Sequence, residues 1–395
     1  MHPFLRYALP IVVTFYIISL YLETQTALLK CSHSSTTSSL RQKNAEEVTY
    51  HTPSYGNSSN RREPYNDYIP AVVEKYVLDH AAELNYNTPT TETGNSWWWN
   101  MPPNPSGCAI WNDPTSTPYY KELQQFLHEL REYSQRIAAF PPVPDLRLQM
   151  QTTPQEQVCA SLELHPDGLP ALFPSQQLSY TKAGYVEPLL TPMRHPSFCF
   201  DHDTYKLNMN YMVHDFPTMC RQLKNHTRTI FVDMGASLDF HAGTESPAMY
   251  ILDLYHQFGF VFDHIYAFEI EEKRPADVFA KVPPHLMASY HWNNVAVSPE
   301  PGHKFNPLDS ILRHFTKDDL IVVKLDVDTP AVELPLADQI VTQYAHLIDH
   351  FYFEHHVHMD EISSDWRSSM QGTIQDSLRR FQRLRQRGIA AHFWP

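Results

Sequence analysis

The apolar positions in the second half of this chain fall in short runs, each closing on polar residues. Thr229-Ile-Phe-Val-Asp-Met-Gly-Ala-Ser237 breaks from an apolar run into an acid, a glycine and two small residues. Four runs of the same kind follow: His264-Ile-Tyr-Ala-Phe-Glu269, Asn294-Val-Ala-Val-Ser298, Leu320-Ile-Val-Val-Lys-Leu-Asp-Val-Asp328 and Phe351-Tyr-Phe-Glu-His-His-Val-His358. Runs rich in β-branched and aromatic residues read as strands, and helical stretches fill the intervals. The alternation of strand and helix predicts an α/β fold whose sheet is mostly parallel and covered by helices on both faces. Ser246-Pro247 predicts a helix start, with an N-cap followed by proline at the first helical position.

Upstream the pattern is different. Phe4 to Leu22 is almost wholly apolar, interrupted by Arg6 and Pro10, and reads as a short span or signal peptide, with an uncleaved signal anchor preferred. Arg6 ahead of the apolar run favours a cytoplasmic amino terminus and a lumenal remainder. Residues 32–70 are rich in Ser, Thr, Asn and Pro and read as a flexible stem. Ala71 to Leu84 and Tyr119 to Phe140 show helical spacing, with Leu123, Phe126, Leu127 and Leu130 along one side of the second. Trp97, Trp98, Trp99 and Trp111 lie among prolines in an irregular segment that serves as packing or as a wall for a ligand. The expected division is an anchor over 1–31, a stem over 32–70, a helical and irregular accessory region over 71–224 and a sheet domain over 225–395.

Parallel sheets of this kind bind ligands beyond the carboxyl ends of their strands. The strand ends here carry Asp233 with Gly235, then Ala267-Phe268-Glu269, then Lys324-Leu-Asp326-Val-Asp328, then Glu354-His355. In that order they resemble the FkbM-type branch of S-adenosylmethionine-dependent methyltransferases. The closing Leu384 to Pro395 is similar to that family's last helix running through a glycine stop into a short strand. The resemblance covers roughly residues 225 to 395. It implies a Rossmann-like, seven-stranded fold with S-adenosyl-L-methionine as cofactor. Gly235, Ala236 and Ser237 are then expected beside the methionine part, Glu269 on the ribose hydroxyls, Asp233 orienting the turn and Asn294 on the adenosine side. The chain departs from the family at Ser237, at Asp239 and at Asp328-Thr329, and carries an inserted loop from Leu238 to Glu245.

Methyl transfer to a hydroxyl also needs a proton acceptor. Asp326 is the first choice, with Asp328 beside it, and His355, His356 and His358 offer imidazoles for the same task. Neighbours on a strand point to opposite faces and alternate residues share one, unless the chain turns. A carboxylate and imidazole cluster from Glu354 to His358 suits zinc or iron, but with His355 and His356 on opposite sides no metal is expected. The arginines at 379, 380, 383, 385 and 387 read as a solvated helix face.

Composition narrows the partners. With 30 basic and 44 acidic residues the net charge is −14, which argues against a nucleic-acid backbone. Cys108, Cys159, Cys199 and Cys220 are widely spaced and able to pair in an oxidising lumen, in any of three ways. Asn57-Ser-Ser59 and Asn225-His-Thr227 are glycosylation sequons that agree with a lumenal side. The expectation is a single-pass membrane O-methyltransferase of the Golgi or endoplasmic reticulum, acting on a hydroxyl of a glycan or small metabolite. Two alternatives stand beside it. One is a Golgi-type glycosyltransferase holding a divalent cation on Asp326-Val-Asp328; the other is a non-catalytic interaction protein on the same fold.

Overall fold

The computed structural model describes residues 68–88, 105–112, 119–190, 195–205, 207–224, 226–237, 247–362 and 369–395. All of them belong to one compact unit, Arg62–Pro395. The anchor, the sequon asparagines Asn57 and Asn225, Trp97 to Trp99 and the Leu238 to Glu245 loop lie outside the described residues. No helix among the described residues is long and apolar enough to cross a membrane.

A two-stranded antiparallel hairpin, β1 (Ser179–Thr181) and β2 (Gly184–Val186), precedes the main sheet. The main sheet has six strands among the described residues: β3 (Thr229–Met234), β4 (His264–Phe268), β5 (Tyr290–Asn293), β6 (Leu320–Leu325), β7 (His350–Phe353) and β8 (Ala390–Phe393). Their order is β5-β4-β3-β6-β7-β8 and every pairing is parallel. This is the order of a Rossmann-like sheet, in which the chain builds outward from β3 on one side and then crosses back to build on the other. Every residue of β3, β6, β7 and β8 is buried, which is why these strands read as continuous apolar runs: both of their faces are covered.

The principal helices are α1 (Val72–Asp79), α2 (Tyr120–Ala139), α3 (Gln155–Ala160), α4 (Phe216–Gln222), α5 (Pro247–Gln257), α6 (Pro275–Phe279), α7 (Pro330–Gln339) and α8 (Ile374–Gln386). α2 buries Leu123, Phe126, Leu130, Tyr133 and Ile137, the stripe expected of a helix with one apolar face. α5 starts at Pro247, as the Ser-Pro pair predicts. α8 opens with a reciprocal capping box, Thr373 with Asp376, and gives way to β8 through Gly388 at φ 93°.

Two expectations are corrected. The strand placed at Asn294 to Ser298 lies earlier, at Tyr290–Asn293, where His291 and Trp292 pair with Tyr266 and Ala267. Asn294 is drawn off the sheet because its amide bonds the loop that follows β4. Residues 71–224 bond directly to the sheet. Tyr211 donates to the carbonyl of Phe393 in β8 at 2.6 Å, and His214 meets the Tyr352 hydroxyl of β7 at 2.7 Å. The α8 arginines do not form a uniformly solvated face. Arg385 is fully buried, with Nη1 2.9 Å from Glu74 of α1 and donors on the carbonyls of Glu187 and Ala391. Glu187 also takes His392 at 3.0 Å. Burial alone would raise the Glu187 carboxyl, but His392 and Arg385 beside it hold it at about 2.

Two disulfides select one of the three connectivities: Cys108–Cys199 and Cys159–Cys220. The second clamps α3 to α4, just ahead of β3.

Candidate functional site at the carboxyl ends of the parallel strands

β3 and β6 run in register, Met234 opposite Leu325, so Gly235 and Asp326 leave the sheet side by side. Gly235 stands at φ 90°, and a Cβ there would come within 1.5 Å of the Asp326 carbonyl oxygen. Only glycine permits this crossing of two backbones. On the other flank, the amides of Gly235 and Ala236 both donate to the carbonyl of Phe268, at 3.0 and 2.8 Å. The turn after β3 is thereby tied to the end of β4, and Glu269 follows at once. These contacts gather Gly235, Ala236, Glu269 and Asp326 where the strand order reverses.

Lys324 fastens the arrangement from below. Its buried ammonium donates to the Gly235 carbonyl at 2.7 Å and lies 3.2 Å from Asp233 and 3.0 Å from Asp326. Burial opposes the charge on Lys324, yet the two carboxylates outweigh it and raise its pKa. Asp233 is pushed up to about 6, burial outweighing the pull of Lys324. Asp326 is held low: burial works to raise it, and Lys324 and a hydrogen bond shared with the Glu354 carboxyl prevail. Trp394 donates its indole N–H to Asp326 at 3.1 Å, so the penultimate residue of the chain packs against this edge.

Strand alternation does not govern Asp326 and Asp328. The strand stops at Leu325, and Asp328 has φ 53°, a left-handed turn that swings its carboxylate toward the end of β7. β7 likewise stops at Phe353, and the chain bends through Glu354. His356, fully buried, has Nε2 3.2 Å from Glu354 and 3.8 Å from Asp328. One ligand atom each from Asp328, Glu354 and His356 falls within 4.8 Å of the others. Sequence alone weighed a different set, Glu354 to His358, and set it aside because His355 and His356 face opposite sides of a continuing strand.

The remaining expected residues are distributed otherwise. Asp233 is buried beneath the turn and paired with Lys324. Ala236 is buried and Ser237 exposed. Glu269 is half-buried, and one of its oxygens accepts from the amide of Glu271 at 2.7 Å. Ile270 beside it is 75% exposed, an apolar side chain standing next to an acid at the sheet edge. Asn294 donates to the carbonyls of Glu269 and Glu271 at 2.8 Å and accepts from Lys273, so its amide shapes the Glu269 loop rather than facing outward. His355 is buried against Phe353, ring centroids 5.4 Å apart. Burial, with Arg380 and His356 nearby, lowers it to about 3, which leaves it a weak base.

Glu333 of α7 belongs to this edge and was not singled out from the sequence. It is fully buried, and its Oε1 accepts from the amide of Val327, between the two aspartates, at 2.9 Å. Burial lifts its carboxyl to about 8. An acid in the first turn of a helix is ordinary, so no local pattern marks it.

An adenosyl group fits these residues in specific respects. Glu269 offers a carboxylate oxygen at the end of β4, and exposed Ile270 offers apolar surface to a flat base. Comparison with known proteins finds no matching family model, curated protein or solved structure.

Proposed function

We propose that the protein is an S-adenosylmethionine-dependent O-methyltransferase of the FkbM-like kind, acting on a hydroxyl of a glycan or small metabolite. The reading rests on one observation above the rest: Gly235, Glu269 and Asp326 meet at the strand-order reversal of an all-parallel sheet, in the chain order that carries the resemblance. When bound, the cofactor supplies a methyl group made electrophilic by its sulfonium. Glu269 accepts hydrogen bonds from the ribose hydroxyls, as acids at this position do in nucleotide-binding sheets. Lys324 and Asp233 hold the turn rigid, which serves the alignment on which a displacement between two bound partners depends.

The acceptor's proton passes to a carboxylate of the Asp326 to Asp328 segment. The anchor and lumenal placement belong to the same proposal. They are supported by the apolar run before residue 22 and by two disulfides of the sort that form in oxidising compartments.

Isothermal titration of S-adenosylhomocysteine into the full chain tests the reading. Binding is expected, weakened about tenfold or more by Glu269→Ala, the scale of a lost hydrogen bond to a charged group. Binding of a UDP- or GDP-sugar with manganese, and none of S-adenosylhomocysteine, would replace it with the glycosyltransferase reading.

A further inference from the structure

We infer that Asp328, Glu354 and His356 form a divalent-cation site at the mouth of the proposed catalytic crevice. The donors come from two different strand ends and converge only because each strand is cut short before them. Donors on a shared ion sit at most about 4.4 Å apart, twice a metal–ligand bond of roughly 2.2 Å. Here the His356 nitrogen lies 3.2 Å from Glu354 and 3.8 Å from Asp328, and all three ligand atoms lie within 4.8 Å of one another, close to that span. Imidazole with carboxylates is a donor set that takes manganese, zinc or iron, and three protein donors leave coordination positions open.

A second observation points the same way. Glu333 is fully buried, yet its Oε2 meets no hydrogen-bond donor. Its Oε1 is fixed to the amide of Val327, so the carboxyl sits against the backbone joining Asp326 to Asp328. The charges it senses are His356, Asp326 and Glu354. A buried oxygen without a partner is costly, and this one belongs to a group of four acids, Asp326, Asp328, Glu333 and Glu354, that share one lysine and one histidine. A divalent cation supplies the missing positive charge. Glu333 then acts behind the ligands, orienting the aspartate turn, as outer carboxylates do around metal centres.

The use of the ion rests on the methyltransferase reading: its open positions face the crevice, where oxygens of the hydroxyl acceptor are oriented. The site itself does not depend on that reading.

The test uses purified full chain stripped with EDTA, then titrated with Mn²⁺ while the free-ion paramagnetic resonance signal is followed. The expected result is one Mn²⁺ per chain, displaced by Zn²⁺, with affinity reduced at least tenfold by Asp328→Asn and by His356→Gln. Asp328 is exposed, its side chain 59% accessible, so Asp328→Asn is expected to keep the wild-type melting temperature in EDTA. Absence of Mn²⁺ and Zn²⁺ binding, or an Asp328→Asn protein that binds like wild type, overturns the site. S-adenosylhomocysteine titrated in EDTA separates the two ideas. Cofactor binding without metal binding sinks the cation site alone, and metal binding without cofactor binding keeps the site and sinks the methyltransferase.

Discussion

Two buried polar clusters flank β6 to β8, and they are built on opposite principles. Around Arg385, two carboxylates, Glu74 and Glu187, face a guanidinium and the His392 imidazole, and further donors come from Ser179 and the amide of Leu189. That cluster matches two acids with two bases, with Oε1 of Glu74 left without a hydrogen-bond partner. Around Asp326, four carboxyl groups meet one lysine and one histidine, one oxygen of Glu333 is left without a donor, and Asp328 opens to solvent. The first cluster stitches α1, the hairpin exit and α8 to the sheet. Each cluster leaves one buried carboxyl oxygen without a partner, Oε1 of Glu74 in the first and Oε2 of Glu333 in the second, but only the second holds more acids than bases. A fold can hold a charge cluster by matching acids with bases or by leaving one side open to solvent, and this molecule does each in a different place.

Substitutions that treat the clusters alike should therefore give unlike results. The largest effect is expected from Arg385→Met, which leaves Glu74 and Glu187 buried without their cation. A loss of about 3–5 kcal/mol is expected in guanidinium unfolding. A loss under 1 kcal/mol would mean that Arg385 is not what holds the two buried carboxylates.

Acid sharpens the contrast next. His214, His350 and His392 lie in one stack beside the closed cluster, His350 5.8 Å from His392 and 6.4 Å from His214. Burial, then the neighbouring His392, depresses His214 to about 3 and His350 well below its ordinary value. Such histidines stay neutral in the fold while the unfolded chain takes up protons below about pH 6.5. Stability is therefore complete above that pH and is lost as the pH falls toward the folded-state value. His350→Phe keeps a ring in the stack and removes one of these groups. Between pH 6.5 and 5 its stability is expected to fall less steeply than wild type, by about 1 kcal/mol per pH unit. Other titrating groups are common to both proteins and cancel in the comparison. Parallel curves would refute the role of His350.

The smallest effect is expected from Glu333→Gln in metal-free buffer. The amide keeps an oxygen for Val327 and brings no charge into a site already rich in acids. Stability is expected to stay level or rise by up to about 1 kcal/mol, the opposite sign to Arg385→Met. A loss above 2 kcal/mol would show that Glu333 is satisfied within the protein.

Legibility from sequence differed in the same way between the two regions. The ends of β3, β4 and β6 were readable because a buried parallel strand is a continuous apolar run, and Asp233, Glu269 and Asp326 stand where such runs stop. β5 was misplaced by a few residues: its edge position gives a half-exposed strand, while Val295 to Val297 is the more apolar string. Arg385 was misread because charged residues on a helix usually face water, and its partner Glu74 lies 311 residues away. Glu354 and His356 were dismissed on the assumption that alternation continues past Phe353.

The sequence by itself determined the alternating strands and helices, the glycine at the β3 turn, the glycine stop of α8, and the acids at the strand ends. Each follows from local period or local backbone sterics, which act over a few residues. The tertiary structure alone decided which cysteines pair, that Arg385 is a core residue, and that Asp328, Glu354 and His356 converge. Those depend on where strands stop and on which distant segments meet. A turn at φ 53° or a buried ion pair is chosen by the energy of the whole packing, and no short window of sequence contains its partners.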